Sequence, residues 1–161
     1  DSVTGEPVTV QTSSQQSFGE SLMLTVRGLG VTDFRYENLS PGTYHFIAEE
    51  EGGRVGVLRD IPLEAGEVRD DLVIPMHPGG ALQVTYGGGR GDLRVRVRDG
   101  EVVLHEEALA PNALSTCRVP AGSVLVELVV TDWTKPPSDR EVVDSRRVDV
   151  PAEERVEVSF D

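Results

Sequence analysis

Apolar and polar residues alternate along most of this chain, with the period of two that sends every second side chain to one face of a β-strand. Leu22, Leu24 and Val26 share one such face, and Tyr44, Phe46 and Ala48 share another. The pattern is sharpest where Leu93, Val95 and Val97 interleave with Arg94, Arg96 and Arg98. That spacing predicts a strand with an apolar face turned to a core and a cationic face turned to solvent. Asp99-Gly100 follows at once, ahead of a second strand through Val102 and Leu104, and an Asp-Gly pair so placed signals a two-residue hairpin needing positive φ. No long window sustains the i, i+3, i+4, i+7 spacing of an amphipathic helix, although 106–110 is compatible with a single turn. The predicted class is all-β.

Turn residues punctuate these strands at Gly28 to Gly30, Pro41-Gly42, Gly52-Gly53, Gly87 to Gly89 and Pro136-Pro137, and longer loops are expected over 12–19 and 132–139. Ser40-Pro41-Gly42-Thr43 fits a type II turn, with Pro41 presetting φ and Gly42 accepting positive φ, so Gly42→Val is expected to be costly. Around Gly122, Pro120-Ala121-Gly122 fits a type I turn better. The same grammar then appears twice. Leu39 to Tyr44 leads into a strand ending near Glu49, and Ala65-Gly66-Glu67 precedes a closing strand over 68–74; Val119 to Val124 leads into a strand through Val130, and 150–154 precedes a closing strand over 155–160. Between the halves, Met76-His77-Pro78-Gly79-Gly80 reads as a short, stiff linker. Two domains are therefore expected, 1–77 and 78–161, each of a size that buries only about 60–65% of its unfolded surface.

The 161 residues carry 15 basic and 28 acidic side chains, a net charge of −13 that repels phosphate backbones and anionic head groups. Nucleic acid and membrane insertion are excluded as expected partners, and no stretch approaches the roughly 18 apolar residues of a membrane span. The one cysteine, Cys117, has no internal disulfide partner, and its alternation with Thr116 and Arg118 reads as a small buried residue. The chain starts at Asp1 without a hydrophobic leader, which reads as a processed product or an excised piece.

A Leu-x-Pro-Gly-x-Tyr segment, a strand, a charged loop, an Ala-Gly-Glu segment and an Asp-Leu-x-Ile ending make up the first half, on Leu39, Pro41, Gly42, Tyr44, Ala65, Gly66, Leu72 and Ile74. This resembles the carboxypeptidase regulatory-like domains, also described as transthyretin-like or prealbumin-like sandwiches. The second half carries the likeness on Gly122, Val124, Val126 and the 148–160 ending. The resemblance implies two tandem Greek-key β-sandwich domains of Ig-like, prealbumin-like type, in a larger exported, bacterial protein that is secreted, periplasmic or on the cell surface. The family shares no catalytic residues, so the resemblance implies none here.

Candidate chemistry is sparse. His45, His77 and His105 are scattered without metal-ligand spacing, no serine sits in a Gly-x-Ser-x-Gly elbow, and adjacent carboxylates such as Asp70-Asp71, 49–51 and Glu106-Glu107 point to opposite faces of a strand as solvated edges. Asp132 and Asp139 lack the regular spacing of a calcium loop, and Gly87 to Gly91 lacks the Lys-Ser/Thr ending of a phosphate loop. Arg90-Gly91-Asp92 and the sequon Asn38-Leu39-Ser40 are short matches expected by chance. Lys135, the one lysine, lies in a loop, where an isopeptide bond to Asn38 or Asn112 is not expected. No catalytic residue, cofactor or metal is expected. The reading that remains is a structural or protein-interaction module, with Arg94, Arg96 and Arg98 as a cationic stripe for an acidic partner and a sheet edge open to pairing. Trp133 is expected to cap the core; an exposed indole there would instead favour the alternative, a carbohydrate-binding module.

Overall fold

The structure is a computed structural model. It describes residues 8–9, 15–18, 21–28 and 34–35 by their backbone, and 39–50, 52–136 and 139–161 in full. Among these there is no α-helix, and thirteen strands run in chain order: β1 (Val8–Thr9), β2 (Gln15–Phe18), β3 (Ser21–Gly28), β4 (Phe34–Arg35), β5 (Gly42–Glu50), β6 (Arg54–Leu63), β7 (His77–Tyr86), β8 (Leu93–Asp99), β9 (Val102–Ala108), β10 (Leu114–Pro120), β11 (Gly122–Val130), β12 (Val142–Val150) and β13 (Arg155–Phe160). Contacts divide the chain into one unit over Asp1–Met76 and another over His77–Asp161.

In the first unit β2, β3, β5 and β6 form a sheet in that order, with β3 and β5 parallel and the other pairs antiparallel, while β1 and β4 pair separately. Part of the loop expected over 12–19 is thus strand β2, and residues 12–14 and 19 of it lie outside the described residues. The shared face of Leu22, Leu24 and Val26 falls on β3, whose side chains are also outside the description. Tyr44 and Phe46 on β5 are buried with stacked rings, and Leu39, Leu58, Ile61, Leu63, Leu72 and Ile74 pack against them. The buried Tyr44 hydroxyl donates to the Ser40 carbonyl at 2.5 Å, which meets the demand of a phenol out of water.

The closing strand expected over 68–74 does not form. Segment 67–76 crosses the face of β6 at Gly56, where a Cβ would meet Ile74 Cγ2 at 2.6 Å and the Pro75 carbonyl at 2.7 Å. Lying over a face rather than beside an edge, it makes no ladder there; Leu72 and Ile74 turn in, and Val68 and Val73 turn out. The left-handed glycine of a type II turn is likewise Gly66, in the turn from Glu64 to Glu67, and not Gly42, which begins β5 opposite Leu63 without positive φ. The penalty expected for Gly42→Val through positive φ therefore has no basis.

A β-bulge sets His45 of β5 opposite both Arg59 and Asp60 of β6. Asp60 sits at φ 54°, and its N–H donates to His45 Nδ1 at 3.1 Å, so Nδ1 is the unprotonated nitrogen. Burial pulls the His45 pKa down, against a smaller upward pull from Asp60.

In the second unit β10, β7 and β13 form one sheet, with β7 antiparallel to β10 and parallel to β13, and β12, β11, β8 and β9 form another, all antiparallel. Leu82, Val84, Tyr86, Cys117, Val119, Val158 and Phe160 from the first and Leu93, Val95, Val97, Val124, Val126 and Leu128 from the second make the core of a β-sandwich. Arg146 of β12 reaches across the layers to lie over the Phe160 ring, 4.8 Å from its centroid. The residues expected as a linker, His77 to Gly80, are instead the start of β7. Gly79 and Gly80 are buried because the turn after β12 presses on them: Glu153 donates to the Gly79 carbonyl, and a Cβ on Gly80 would strike Val150 and the Pro151 carbonyl.

Asp99 pairs with Val102, so the hairpin loop is Gly100-Glu101, one residue beyond the expected Asp99-Gly100. Gly100 alone of the two has positive φ, the mark of a type II′ turn. The expected single helical turn over 106–110 is absent, since β9 extends to Ala108. Gly122, at φ 135° at the start of β11, sits where the chain passes from one sheet to the other.

Gly80→Ala should destabilise the second unit by about 1–3 kcal/mol in urea unfolding. Gly91→Ala, with open space around its Cβ position, should leave the midpoint unchanged. For His45 the folded pKa lies below the ordinary 6.5, so the unfolded chain takes up the proton first and stability falls as pH drops below that value. His45→Gln, whose amide oxygen accepts the same N–H, should remove that part of the pH profile.

Candidate functional site

Cross-strand register arranges the outer face of the second sheet in rows. Val142, Val129, Arg94 and Ala108 form one, Ser145, Glu127, Arg96 and Glu106 the next, and Arg147, Leu125, Arg98 and Val103 the third. The arginines of β8 thus meet two carboxylates from the flanking strands. Arg94 Nε donates to Glu106 Oε1 at 2.8 Å, Arg96 Nε to Glu106 Oε2 at 2.7 Å, and Arg98 Nη2 to Glu127 Oε1 at 2.9 Å. A further guanidinium arrives from the loop between β11 and β12, where Arg140 Nη1 donates to Glu106 Oε1 at 2.9 Å. The expectation that this face sees solvent is overturned for Arg96, which is 5% exposed, and its neighbours Arg94 and Arg98 are mostly covered. Glu106, expected on a solvated edge, is buried as well.

Loop 131–141 is tied down at both ends, by Val130 N–H to the Glu141 carbonyl and by Thr131 N–H to the Asp92 carbonyl. Near its start Asp132 Oδ1 accepts from the Thr134 hydroxyl at 2.6 Å and amide at 3.0 Å, and these bonds hold the Asp132 carboxyl below its usual range. The resulting turn presents Trp133, which is 75% exposed and does not cap the core as expected. Its ring lies over two guanidiniums, with Arg94 Cζ 5.7 Å and Arg140 Cζ 5.2 Å from the centroid. The fold therefore gathers Trp133 and Arg94 with Arg140, while Arg96 and Arg98 lie deeper along the same ladder. Buried Arg98 Nε, Glu127 Oε2 and Arg140 Nε have no hydrogen-bond partner; for Arg140 the indole face supplies the compensating interaction.

Reasoning from the sequence set Glu106 on a solvated edge and missed Glu127 and Arg140 as parts of this group. Glu127 carried a signal, since it interrupts the apolar run of 124–130, whereas nothing local marks Arg140.

A second polar group closes one edge between the layers. Ser115 donates to Glu107 Oε1, and His105 Nε2 lies 3.4 Å from both Ser115 Oγ and Glu107 Oε1. A nucleophile relay needs the imidazole between hydroxyl and carboxylate, joined through different ring nitrogens. Here both partners meet the same nitrogen and the carboxylate holds the serine directly, so the arrangement fills an edge rather than activating Ser115.

The remaining candidates resolve locally. Arg90 and Asp92 bind each other, through Nε at 3.0 Å and Nη2 at 2.8 Å, and so are not presented as separate charges. Lys135 pairs with Asp132 at 3.7 Å. Asn38 lies outside the described residues. Among those described, no group of three or more His, Cys, Asp or Glu is disposed to hold a metal ion. No family model matches this chain, and neither curated proteins nor solved structures include a significant match.

Glu106→Gln leaves three guanidiniums facing one neutral amide, and should cost about 3–5 kcal/mol in urea unfolding of the second unit. Trp133→Ala removes only a partly exposed cation–π contact and should cost about 1 kcal/mol or less.

Proposed function

We propose that this chain is a non-catalytic structural and protein-interaction module, built as tandem Greek-key sandwiches of Ig-like, prealbumin-like type within a larger exported bacterial protein. It docks a partner through the surface around Trp133. The observation that carries this reading is a large indole, 75% exposed, held in place by two guanidiniums that are themselves anchored on a buried carboxylate. Tryptophan and arginine dominate binding hot spots, and a pre-positioned ring loses little side-chain entropy when it is covered. The likeness of the Leu39 to Tyr44 and 148–160 segments to carboxypeptidase regulatory-like domains supports the architecture and the exported setting.

The same exposed indole favours a second reading, a carbohydrate-binding module in which Trp133 stacks on a sugar ring. Against it stands the lack of a second exposed aromatic among the residues described in full.

The test is capture from the exported fraction of the source cells with the whole chain as bait, beside Trp133→Ala and a glycan panel. A protein recovered by the parent and lost with Trp133→Ala is the expected result. Glycan retention abolished by the same substitution would replace the proposal with the second reading, and equal recovery by both baits would remove Trp133 from either.

A further inference from the structure

Each sheet of the second unit is bounded by edge strands, β10 and β13 in one and β9 and β12 in the other. An open edge offers a row of N–H and C=O groups to any further strand, and proteins blunt such edges with bulges, prolines and charges. β9 carries the extra residue Leu104 and β12 the extra residue Val143, each a β-bulge, and β10 closes on Pro120, which has no N–H to give. β13 has neither bulge nor proline, and its six register pairs with β7 run without a shift.

The direction of its free backbone groups follows from the bonds it already makes. Ala81 N–H donates to the Glu154 carbonyl at 2.8 Å and Gly87 N–H to the Phe160 carbonyl at 2.7 Å, so the even-numbered residues of this stretch turn their backbone groups to β7. Successive residues of a strand turn theirs to opposite sides, and Arg155, Glu157 and Ser159 therefore face outward. No described strand lies on that side.

Two copies of β13 running antiparallel can oppose only residues that both face outward or both face inward, which restricts the register. Centred on Val158, the pairing sets Arg155 opposite Asp161, Glu157 opposite Ser159 and Val156 opposite Phe160, each twice. Opposite charges meet at both ends, and the core-side residues Val156, Val158 and Phe160 meet only one another. Neighbouring registers are poorer. Centring on Glu157 sets that carboxylate against its own copy, and centring on Ser159 sets it against Asp161. Centring on Val156 joins Arg155 to Glu157 but runs at once into Glu153, which lies at φ 63° in the turn ahead of the strand. Arg146 of β12 lies over the Phe160 ring, and the favoured register sets Val156 of the second copy, not a charge, beside that ring. Exposed Glu153 and Glu154 and the net charge of −13 oppose association, and salt relieves both, since exposed charges are largely screened beyond about 8 Å at physiological ionic strength.

We propose that β13 is a self-association edge, on which a second copy of this chain adds its own β13 antiparallel about a two-fold axis at Val158, joining the two copies of that sheet edge to edge. The pairing does not use the surface around Trp133.

Sedimentation equilibrium of the whole chain, at physiological ionic strength and from about 1 µM to about 1 mM, tests it. The parent is expected to pass from one chain to two as concentration rises. Arg155→Glu sets two acids together at each end of the ladder and Asp161→Arg two bases, so either variant alone should associate at least about tenfold more weakly. Mixed in equal amounts, the two variants restore opposite charges at both ends and should dimerise again. Both positions are exposed, and circular dichroism verifies that the variants fold. A parent that stays a single chain throughout would overturn the proposal and leave the edge to a strand of another protein. Variants that dimerise as the parent does, or a mixture that associates no better than its components, would overturn the pairing of β13 in this register.

Discussion

Removing a carboxylate from water is costly unless its lone pairs are used and its charge is met, and Glu106 satisfies both demands with donors from three guanidiniums. Two of these come from the neighbouring strand β8 and one from the loop after β11, so a single anion ties strand to strand and loop to sheet. A buried ionic group of this kind is weak evidence for stability, because apolar residues of similar volume often do as well. What it secures here is position. Arg140 reaches this carboxylate, and its bond brings loop 131–141 down on the outer face and places the Trp133 ring above the paired guanidiniums. The orphaned Nε of Arg98 and Oε2 of Glu127 show that the network is less completely satisfied away from the indole.

Much of this architecture is visible in the period of the chain. Alternation alone places Leu93, Val95 and Val97 in the core and the three arginines of β8 on the opposite face. What alternation leaves open is whether that opposite face meets water. Covering it depends on Glu127 from β11, Glu106 from β9 and Arg140 from a loop, residues brought together only by antiparallel register and by a chain reversal. Trp133 illustrates the same difficulty. A lone indole in a loop reads more readily as part of a core than as a surface group, and only the Asp132–Thr134 turn and the arginines beneath it explain why it stays outside.

Turn chemistry is legible where one residue type is demanded and less so where neighbours intervene. Gly100 takes positive φ as its hairpin requires, yet the loop shifts by one residue because Asp99 joins the ladder. Gly79 and Gly80 read as part of a short, stiff linker, but their missing side chains serve the close approach of the turn after β12. The repeated segments also end differently. After Gly66 the chain crosses over Gly56 as an irregular stretch, whereas the corresponding stretch after Glu154 joins β7 as β13. A sequence repeat records similar local instructions, and which edge or face receives the final segment is decided by the rest of the sheet.

The parallel pairing of β7 with β13 has a mechanical consequence. These are the first and last strands of the second unit, and they lie side by side over six register pairs, from Ala81 with Arg155 to Tyr86 with Phe160. Because they run in the same direction, the start of β7 and the end of β13 lie at opposite ends of the ladder. Tension applied between those two points loads the hydrogen bonds in shear, all together, instead of peeling them one after another. A unit wired in this way resists stretching along its strands most strongly.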